Sequence, residues 1–345
     1  MKFKLGIVRD VLNAAGEPSF GSRALEVLKG NPELDWEYTA EAVKEITPEL
    51  AARYDGLYVN SSRVSSATIA RGDCRLRIIA RHGVGYDSVD VPALSAKGVV
   101  LTNTPIAIRR PVAVATLTLL FALAGRLFAK DRITRAGRWA EHNDLMGTGL
   151  VGRTLGIVGG GGIGQELLRV SAPFGMRRIV ADPYASEATL RALDATGVPL
   201  EQLLCESDFV VVACLLNEET RHLISAAQFA LMKPGAYFIN VARGPIVDEP
   251  ALIEALRAGS IAGAGLDVFE QEPVDPANPL LRMDNVIVTP HALCWTDECF
   301  HAIATSGLQG VVDFSLGRRP AHVVNPEVWP VDAAAQEARP KERNN

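Results

Sequence analysis

The sequence predicts an α/β protein with two doubly wound parallel sheets, and three observations carry this prediction. Strand-length apolar runs alternate with longer, helix-like segments along almost the whole chain. Several runs are continuous stretches of Val, Ile and Leu, which is typical of strands buried on both faces of a parallel sheet. The candidate strands are too many for one ordinary open sheet, so we divide them between two domains.

Ten candidate strands follow one another along the chain. They are residues 4–8, 56–60, 77–80, 99–102, 154–158, 178–181, 209–213, 236–240, 262–266 and 286–289. The run at 4–8 is too short for the apolar region of a signal peptide, so we assign it as the first strand. The longest uncharged run, 111–125, is shorter than the roughly 20 residues that a bilayer span needs. We interpret it as the front of a buried helix and expect no membrane partner.

The composition excludes several other classes of protein. The chain has 345 residues, of which 48% are hydrophobic and 22% charged, with a formal net charge of −5. Disordered chains and coiled coils have other compositions, and a nucleic-acid binder would carry a basic excess. Five cysteines without a Cys-x-x-Cys pair indicate reduced thiols and a cytoplasmic protein. No Cys/His cluster has the spacing of metal ligands, so we expect no metal.

Proline-containing breaks suggest the domain boundaries. Proline ends the strand before residues 103–105, and the following helix, 111–129, begins with proline, which suits a first helical turn. A second break lies at 289–291, and the helix at 296–316 is expected to return to the N-terminal unit. The predicted division is 1–103 with 292–330 as one domain, 104–291 as the second, and a polar, disordered tail at 331–345.

A glycine-rich turn joins the strand at 154–158 to a helix at 165–174. Gly159, Gly161 and Gly164 match the pattern G-x-G-x-x-G. The first glycine permits a tight turn, the second lets the backbone approach a pyrophosphate, and the third lets the helix pack close to the strand. Four adjacent glycines could by themselves be any flexible loop, so the pattern depends on its context.

Asp182 supplies that context. It ends the next candidate strand, about 20 residues after the glycine turn, where an acid accepts both ribose hydroxyls of NAD and repels the 2′-phosphate of NADP. The alternative is a turn cap before Pro183. We therefore predict a Rossmann-like NAD-binding domain, with Gly162 and Ile163 also contacting the cofactor at the helix N-terminus.

From here the sequence resembles the D-isomer-specific 2-hydroxyacid dehydrogenase family over about residues 81–314. Several motifs of the family occur in order, which is far more specific than any one of them. They are Gly83-Val-Gly-Tyr-Asp87, Asn103-Thr-Pro105, the glycine turn, Asn240-Val-Ala-Arg-Gly-Pro-Ile-Val-Asp248, Gly265-Leu-Asp-Val-Phe-Glu270 with Glu272-Pro273, and Thr289-Pro-His291.

The resemblance implies an architecture and an activity. It implies two Rossmann-like doubly wound domains: a discontinuous substrate domain and a central coenzyme domain, with a cleft between them. It also implies a homodimer built on the coenzyme domains. The implied enzyme is an NAD-dependent D-2-hydroxyacid dehydrogenase that moves a hydride between the cofactor and C2 of a small 2-hydroxy or 2-keto acid.

Three side chains are implied to be catalytic. His291 is the acid/base, since a histidine exchanges protons near working pH. Glu272 is its orienting carboxylate, and Arg243 is a cationic fork for the substrate carboxylate and carbonyl oxygen. Each has a plainer interpretation: His291 as a capping or core residue, Glu272 as a solvated turn residue, and Arg243 as a surface charge.

The resemblance also implies further contacts. Asp267 accepts from the nicotinamide carboxamide, or else is a turn acid at a strand end. The N–H groups around Val84 and Gly85 complete the substrate carboxylate site. Thr220 and Ala242 belong to the cofactor site. Arg243 and His291 contact both the cofactor and the substrate.

Some residues stay open or depart from the family pattern. His82 is interpreted as structural or substrate-facing without an acid/base role, and Trp295 as a pocket wall or a core residue. Val114 and Ala115 stand where an acid and a histidine are usual, and residues 214–217 replace a run that usually contains proline.

Arg109 and Arg110 are unusual because cations at a helix N-terminus are mildly unfavourable. One of them could serve a second acidic group on the substrate, or both could be a solvated pair.

Two other functions share this fold. One is a non-catalytic NAD-sensing scaffold of the corepressor type, which needs no acid/base pair. The other is a formate or phosphite dehydrogenase. The sequence names neither the 2-hydroxy acid nor the direction of the reaction.

Overall fold

The computed structural model describes residues 2–329, and the chain divides into two compact units. The first unit combines Met1–Ile108 with the chain from Trp295 onward, and the second is Arg109–Cys294. These divisions lie a few residues beyond the predicted boundaries at 103/104 and 291/292. The predicted tail at 331–345 lies outside the described residues.

The secondary structure alternates between strands and helices. The strands are β1 Phe3–Ile7, β2 Leu34–Tyr38, β3 Gly56–Val59, β4 Ile78–Arg81, β5 Val100–Thr102, β6 Thr154–Val158, β7 Arg177–Ala181, β8 Thr196–Gly197, β9 Phe209–Val212, β10 Tyr237–Asn240, β11 Gly263–Leu266 and β12 Val286–Val288. The α-helices are α1 Glu26–Lys29, α2 Pro48–Ala51, α3 Val91–Ala96, α4 Arg109–Ala124, α5 Leu127–Arg135, α6 Gly162–Ser171, α7 Glu187–Ala192, α8 Leu200–Glu206, α9 Ala226–Leu231, α10 Glu249–Arg257 and α11 Asp297–Ser315.

The first unit is built on a five-stranded parallel sheet in the order β2-β1-β3-β4-β5. Strand β1 pairs with both β2 and β3, so the strand order reverses there, as in one of the two common doubly wound topologies. Helix α11 packs on this sheet, with Leu308 and Val311 in one buried cluster with Leu5 and Tyr58. The predicted return of the last helix to the N-terminal unit is confirmed.

The second unit is built on a seven-stranded parallel sheet in the order β12-β11-β10-β9-β6-β7-β8. From β6 the order runs outward in both directions, which is the topology of Rossmann dinucleotide-binding domains. The strand order reverses between the neighbouring strands β6 and β9, and every residue of both strands is buried. The predicted fold class is therefore confirmed. Ligands of such sheets bind beyond the carboxyl ends of the strands.

Two strands were missed and one helix was predicted too long. Strand β2 alternates between more and less buried residues, unlike the continuous apolar runs that guided the prediction, and β8 has only two residues. The predicted helix at 111–129 is two helices, α4 and α5. Gly125 and Arg126 separate them, because Arg126 adopts a left-handed conformation with φ 51° that ends the first helix.

No single helix within residues 2–329 is both long and apolar enough to cross a bilayer. Helices α4 and α5 meet the length and composition criteria only as a pair that is bent by 57°. The same described residues contain no group of three or more His, Cys, Asp or Glu side chains that could hold a metal ion.

Candidate active site

The glycine turn after β6 has a different steric requirement at each position. Gly159 has φ +109°, and a Cβ there would lie 2.6 Å from the backbone nitrogen of Cys214. A Cβ on Gly164 would lie 2.1 Å from the carbonyl oxygen of Gly159, so α6 packs this closely only because the residue is glycine. Gly161, by contrast, has nothing within 4 Å of its Cβ position. That open space fits a phosphate approaching the backbone.

The N-terminus of α6 offers backbone donors at this opening. Its first ladder bond runs from the Gln165 N–H to the Gly161 carbonyl at 2.9 Å, so the N–H groups of Gly162, Ile163 and Gly164 precede the ladder. Together with the helix dipole they favour an anion. These residues therefore fit the pyrophosphate of a dinucleotide.

Asp182 links the end of β7 to the glycine turn. Its Oδ2 accepts from the Gly160 N–H at 2.7 Å, and its Oδ1 accepts from the Tyr184 N–H at 2.8 Å. The turn cap that the sequence left as an alternative is thus present. It does not compete with ribose binding, because each carboxylate oxygen has a second lone pair to offer.

Thr220 braces the loop that follows β9. Its hydroxyl donates to the Leu215 carbonyl at 2.6 Å and accepts from the Asn217 N–H at 2.8 Å. In the same loop, burial raises the pKa of the Cys214 thiol to about 11, which keeps it protonated. The departure from the family pattern therefore gives a loop held by its own side chains.

His291 and Glu272 meet in the second unit. His291 follows β12, and its Nδ1 lies 2.8 Å from Oε2 of Glu272, while Oε1 of Glu272 accepts from the Phe269 N–H at 3.0 Å. Within residues 2–329, Nε2 of His291 makes no hydrogen bond. The predicted histidine–carboxylate pair is present, and Nε2 is the ring nitrogen left for proton transfer.

Glu272 is held in its ionised form. Burial acts to raise the pKa of this carboxyl, but the hydrogen bonds from His291 and from the Phe269 N–H, with the charges of His291 and Arg243, lower it below the ordinary value of 4.5. An ionised carboxylate stabilises a protonated imidazole beside it. The charge of Arg243 thus acts on the same carboxylate.

Asn240 positions Arg243, a role that the sequence did not suggest. Its Oδ1 accepts from the Ala242 N–H at 3.0 Å, and its Nδ2 donates to the Arg243 carbonyl at 3.0 Å. Arg243 Nη1 also donates to the Ala242 carbonyl at 2.6 Å. A Cβ on Gly244 would lie 1.8 Å from the Phe269 carbonyl oxygen, so only glycine lets this segment pack against the one that leads to Glu272.

Asp267 holds the segment around His291. This buried carboxylate accepts from the Thr289 hydroxyl at 2.6 Å and from the N–H groups of Ala292 and Leu293 at 3.0 and 3.2 Å. Its observed contacts are thus structural, and the nicotinamide contact stays a prediction. A polar residue at the end of a buried strand, as Asn240 is in β10, is the sequence signal that could have pointed to its role.

Val84 and Gly85 lie in a loop of the first unit, after β4. The Val84 carbonyl accepts from Nδ2 of Asn103 at 2.8 Å, and Gly83 exchanges hydrogen bonds with Thr104 through its N–H and carbonyl groups. The N–H groups of Val84 and Gly85 donate to nothing within the described part of the chain. They offer two preformed donors for a carboxylate.

His82 is a structural residue. It is buried against the rings of Phe20 and Phe300, and its Nδ1 lies 2.5 Å from the Tyr58 hydroxyl. Burial, aided by the charge of Arg81, lowers its pKa to about 3, so the ring is neutral. Trp295 packs edge-on against Phe300 but is 55% exposed, which excludes the core interpretation.

The same sheet carries a glycine turn at the N-terminus of α6, an acid after the next strand, and a histidine after β12 that pairs with a carboxylate after β11. This combination defines a dinucleotide-dependent dehydrogenase.

Comparisons with known proteins identify the family. The model of the D-isomer specific 2-hydroxyacid dehydrogenase, NAD binding domain, matches residues 117–292. A glyoxylate reductase of Korarchaeum cryptofilum is 40% identical over 310 residues, which is 89% of this chain and 93% of the relative. A glyoxylate/hydroxypyruvate reductase B of Enterobacter is 38% identical over 86% of this chain and 94% of that protein. The chain belongs to the D-isomer specific 2-hydroxyacid dehydrogenase family.

Solved structures agree with this assignment. D-2-hydroxyisocaproate dehydrogenase superposes with a TM-score of 0.81 at 26% identity, covering 94% of this chain and all of the other. The apo-structure of D-lactate dehydrogenase from Escherichia coli gives 0.77 at 26% identity, covering 93% of this chain and all of the other. The protein is thus an NAD-dependent oxidoreductase of 2-hydroxy acids.

Proposed function

We propose that this protein is an NADH-dependent reductase of small 2-keto acids, with glyoxylate and hydroxypyruvate as its preferred substrates. The observation that carries the proposal is the 2.8 Å contact between His291 and Glu272, and the charge of Arg243 acts on the same carboxylate. The substrate is inferred from the relatives named for glyoxylate and hydroxypyruvate reduction, since they share about two fifths of the sequence over most of its length.

The chemistry assigns one task to each side chain. Bound NADH supplies the hydride that reduces C2 of the keto acid. His291 donates a proton from Nε2 to the carbonyl oxygen as C2 is reduced, which gives the 2-hydroxy acid and leaves a neutral imidazole. Glu272 fixes the proton on Nδ1 and stabilises the imidazolium before transfer. Arg243 binds the carboxylate and the developing oxyanion with its planar fork.

Two further assignments belong to the same proposal. The N–H groups of Val84 and Gly85 bind a carboxylate oxygen, since they are donors without protein partners in the described residues. NAD is preferred to NADP because the Asp182 carboxylate repels a 2′-phosphate.

We also infer a homodimer. Six large apolar side chains of the second unit are exposed between residues 121 and 151, which is unusual for a solvent-facing surface. They are Phe121, Leu127, Phe128, Trp139, Met146 and Val151.

The test is NADH and NADPH oxidation with glyoxylate, hydroxypyruvate and pyruvate. We expect turnover with NADH, fastest on glyoxylate and hydroxypyruvate. His291→Ala should lower kcat by about 10²- to 10⁴-fold, because a positioned general acid contributes that much, while NADH still binds.

A matched control is available in His222, whose Nε2 lies 2.6 Å from Glu270 in a second histidine–glutamate pair. His222→Ala should keep turnover within a few-fold of the parent. NADH binding without oxidation by any keto acid would favour the sensing scaffold instead. Near-normal turnover of His291→Ala would refute the acid/base assignment.

A further inference from the structure

We propose that Arg109 binds the pyrophosphate of NAD(H), adding a side-chain cation to the backbone donors of the glycine turn. This inference concerns the cofactor site of the proposed function. It rests on one part of that function, namely that the glycine turn binds the dinucleotide.

Arg109 and Gly162 are in direct contact. Arg109 is the first residue of α4, and Gly162 is the first residue of α6. A Cβ built on Gly162 would lie 2.4 Å from Nε and 2.8 Å from Cζ of Arg109. The guanidinium therefore lies against the backbone of the turn, in space that any side chain at position 162 would occupy.

The electrostatics of this contact point to an anion. The N-terminus of α6 already carries the positive end of the helix dipole and the N–H groups of Gly162, Ile163 and Gly164. A guanidinium beside them adds a further positive charge to the same place. A pyrophosphate carries two negative charges, and the planar guanidinium fork binds phosphate oxygens through two parallel hydrogen bonds. Gly161 leaves the neighbouring space open for such a group.

The adjacent Arg110 has a different environment. Its Nη1 donates to Oε1 of Glu166 at 2.7 Å, in an ion pair with a carboxylate of α6. The two arginines that the sequence left as an undecided pair thus divide in the structure. Arg109 lies at the cofactor turn, and Arg110 ties α4 to α6. This favours a cofactor role for Arg109 over the recognition of a second acidic group on the substrate.

The experiment measures binding without turnover. Full-length parent, Arg109→Gln and Arg110→Gln proteins are titrated with NADH and with ADP-ribose, which keeps the pyrophosphate, at two salt concentrations. The two variants change the net charge equally and sit side by side on one helix. We expect Arg109→Gln to raise the Kd for both ligands about 10- to 30-fold, and tenfold corresponds to 1.4 kcal/mol.

The other expected results follow from the charge. Arg109→Gln should show a weaker salt dependence of binding than the parent, because one screened charge interaction is gone. Arg110→Gln should bind within twofold of the parent. Arg109→Lys keeps the positive charge but not the planar fork, so it should bind NADH more tightly than Arg109→Gln does. It replaces the glutamine variant in the titrations if that variant folds poorly.

Two results would overturn the proposal. One is NADH binding by Arg109→Gln within twofold of the parent, and the other is an equal loss in Arg110→Gln. Keto-acid reduction by the parent is measured separately. A failure of this inference therefore leaves the proposed function intact, and a parent that binds NADH without reducing any keto acid leaves this inference intact.

Discussion

His291 shows how single residues prepare the site. It has φ +54°, a left-handed conformation that non-glycine residues adopt at a cost of about 1–3 kcal/mol. The buried Asp267 offsets this cost by holding the residues on both sides, through the Thr289 hydroxyl and the N–H groups of Ala292 and Leu293. Nδ1 of the ring held in this segment lies 2.8 Å from Glu272, so we assign Asp267 a positioning role for His291.

Glu272→Gln tests the electrostatic part of the pair. The pKa of Glu272 is lowered, so the carboxylate is charged at every pH above about its ordinary value of 4.5 and stabilises the imidazolium. Glutamine keeps an acceptor but loses the charge. We expect kcat to fall about 10- to 100-fold and the alkaline decline of keto-acid reduction to begin at a lower pH, because the carboxylate no longer stabilises the protonated ring.

The measurement is kcat against pH from 5 to 9 at saturating NADH. Glu270→Gln is the matched control, since Glu270 pairs with His222 in the same unit. It should leave the profile unchanged. An unshifted alkaline decline in Glu272→Gln would show that the carboxylate does not support the imidazolium.

The turn between β6 and α6 is the element on which cofactor binding depends. Its glycines are not equivalent: Gly164 is required by the packing of the helix on the strand, whereas Gly161 faces open space. Folding and binding therefore place separate demands on neighbouring positions of one motif.

Two alanine substitutions separate these demands. Gly161 has φ −69° and ψ −167°, which alanine adopts without strain, so Gly161→Ala should leave the melting temperature nearly unchanged and weaken NADH binding about tenfold or more. Gly164→Ala should lower the free energy of unfolding by about 1–3 kcal/mol, because its Cβ would collide with the Gly159 carbonyl.

Thermal unfolding and NADH titration of both variants check this prediction. A stability loss in Gly161→Ala as large as that in Gly164→Ala would show that the open space at Gly161 is not present in solution.

The elements show which parts of the fold the sequence can predict. Continuous apolar runs were enough to predict β6 and β9, because strands that are buried on both faces consist mainly of apolar residues. Strand β2 has one exposed face, and its mixed composition hid it. The end of α4 at Ala124 depends on the left-handed conformation of Arg126, and an arginine gives no local sequence signal for that conformation.

At the scale of the whole molecule, the second unit presents an unusual surface. A groove of about 510 Å³ is lined by Phe128, Met146 and Arg132 among other residues, and large exposed apolar side chains lie along the same stretch of chain. Solvent-exposed apolar surface of this kind is typical of an interface between protein chains. It is the observation on which the inferred homodimer rests.

Light scattering on the purified protein tests the homodimer. The parent should have twice the 37.0 kDa mass of one chain. Phe128→Glu should shift the equilibrium toward the monomer, because the 55% exposed ring would be replaced by a charge that is costly to bury. Leu316→Glu, at an exposed leucine of the first unit, should remain dimeric. A parent protein of single-chain mass at micromolar concentration would exclude the homodimer.

The sequence by itself determined the features whose physical causes are local. Apolar runs predicted the buried strands, and the glycine spacing with Asp182 predicted the dinucleotide turn, because turn geometry and strand burial are specified within a few residues. The roles of Arg243, Glu272 and His291 came from the ordered motifs of the family rather than from their spacing.

Only the tertiary structure decided which side chains support that site. Asp267 reaches the segment around His291, Asn240 holds Arg243, and Arg109 rests on Gly162. The first and third contacts depend on how segments distant in sequence pack together, and the second on the turn that follows β10. Sequence patterns report periodicity and turn chemistry, whereas these contacts are set by the relative positions of whole elements, and that is why no motif revealed them.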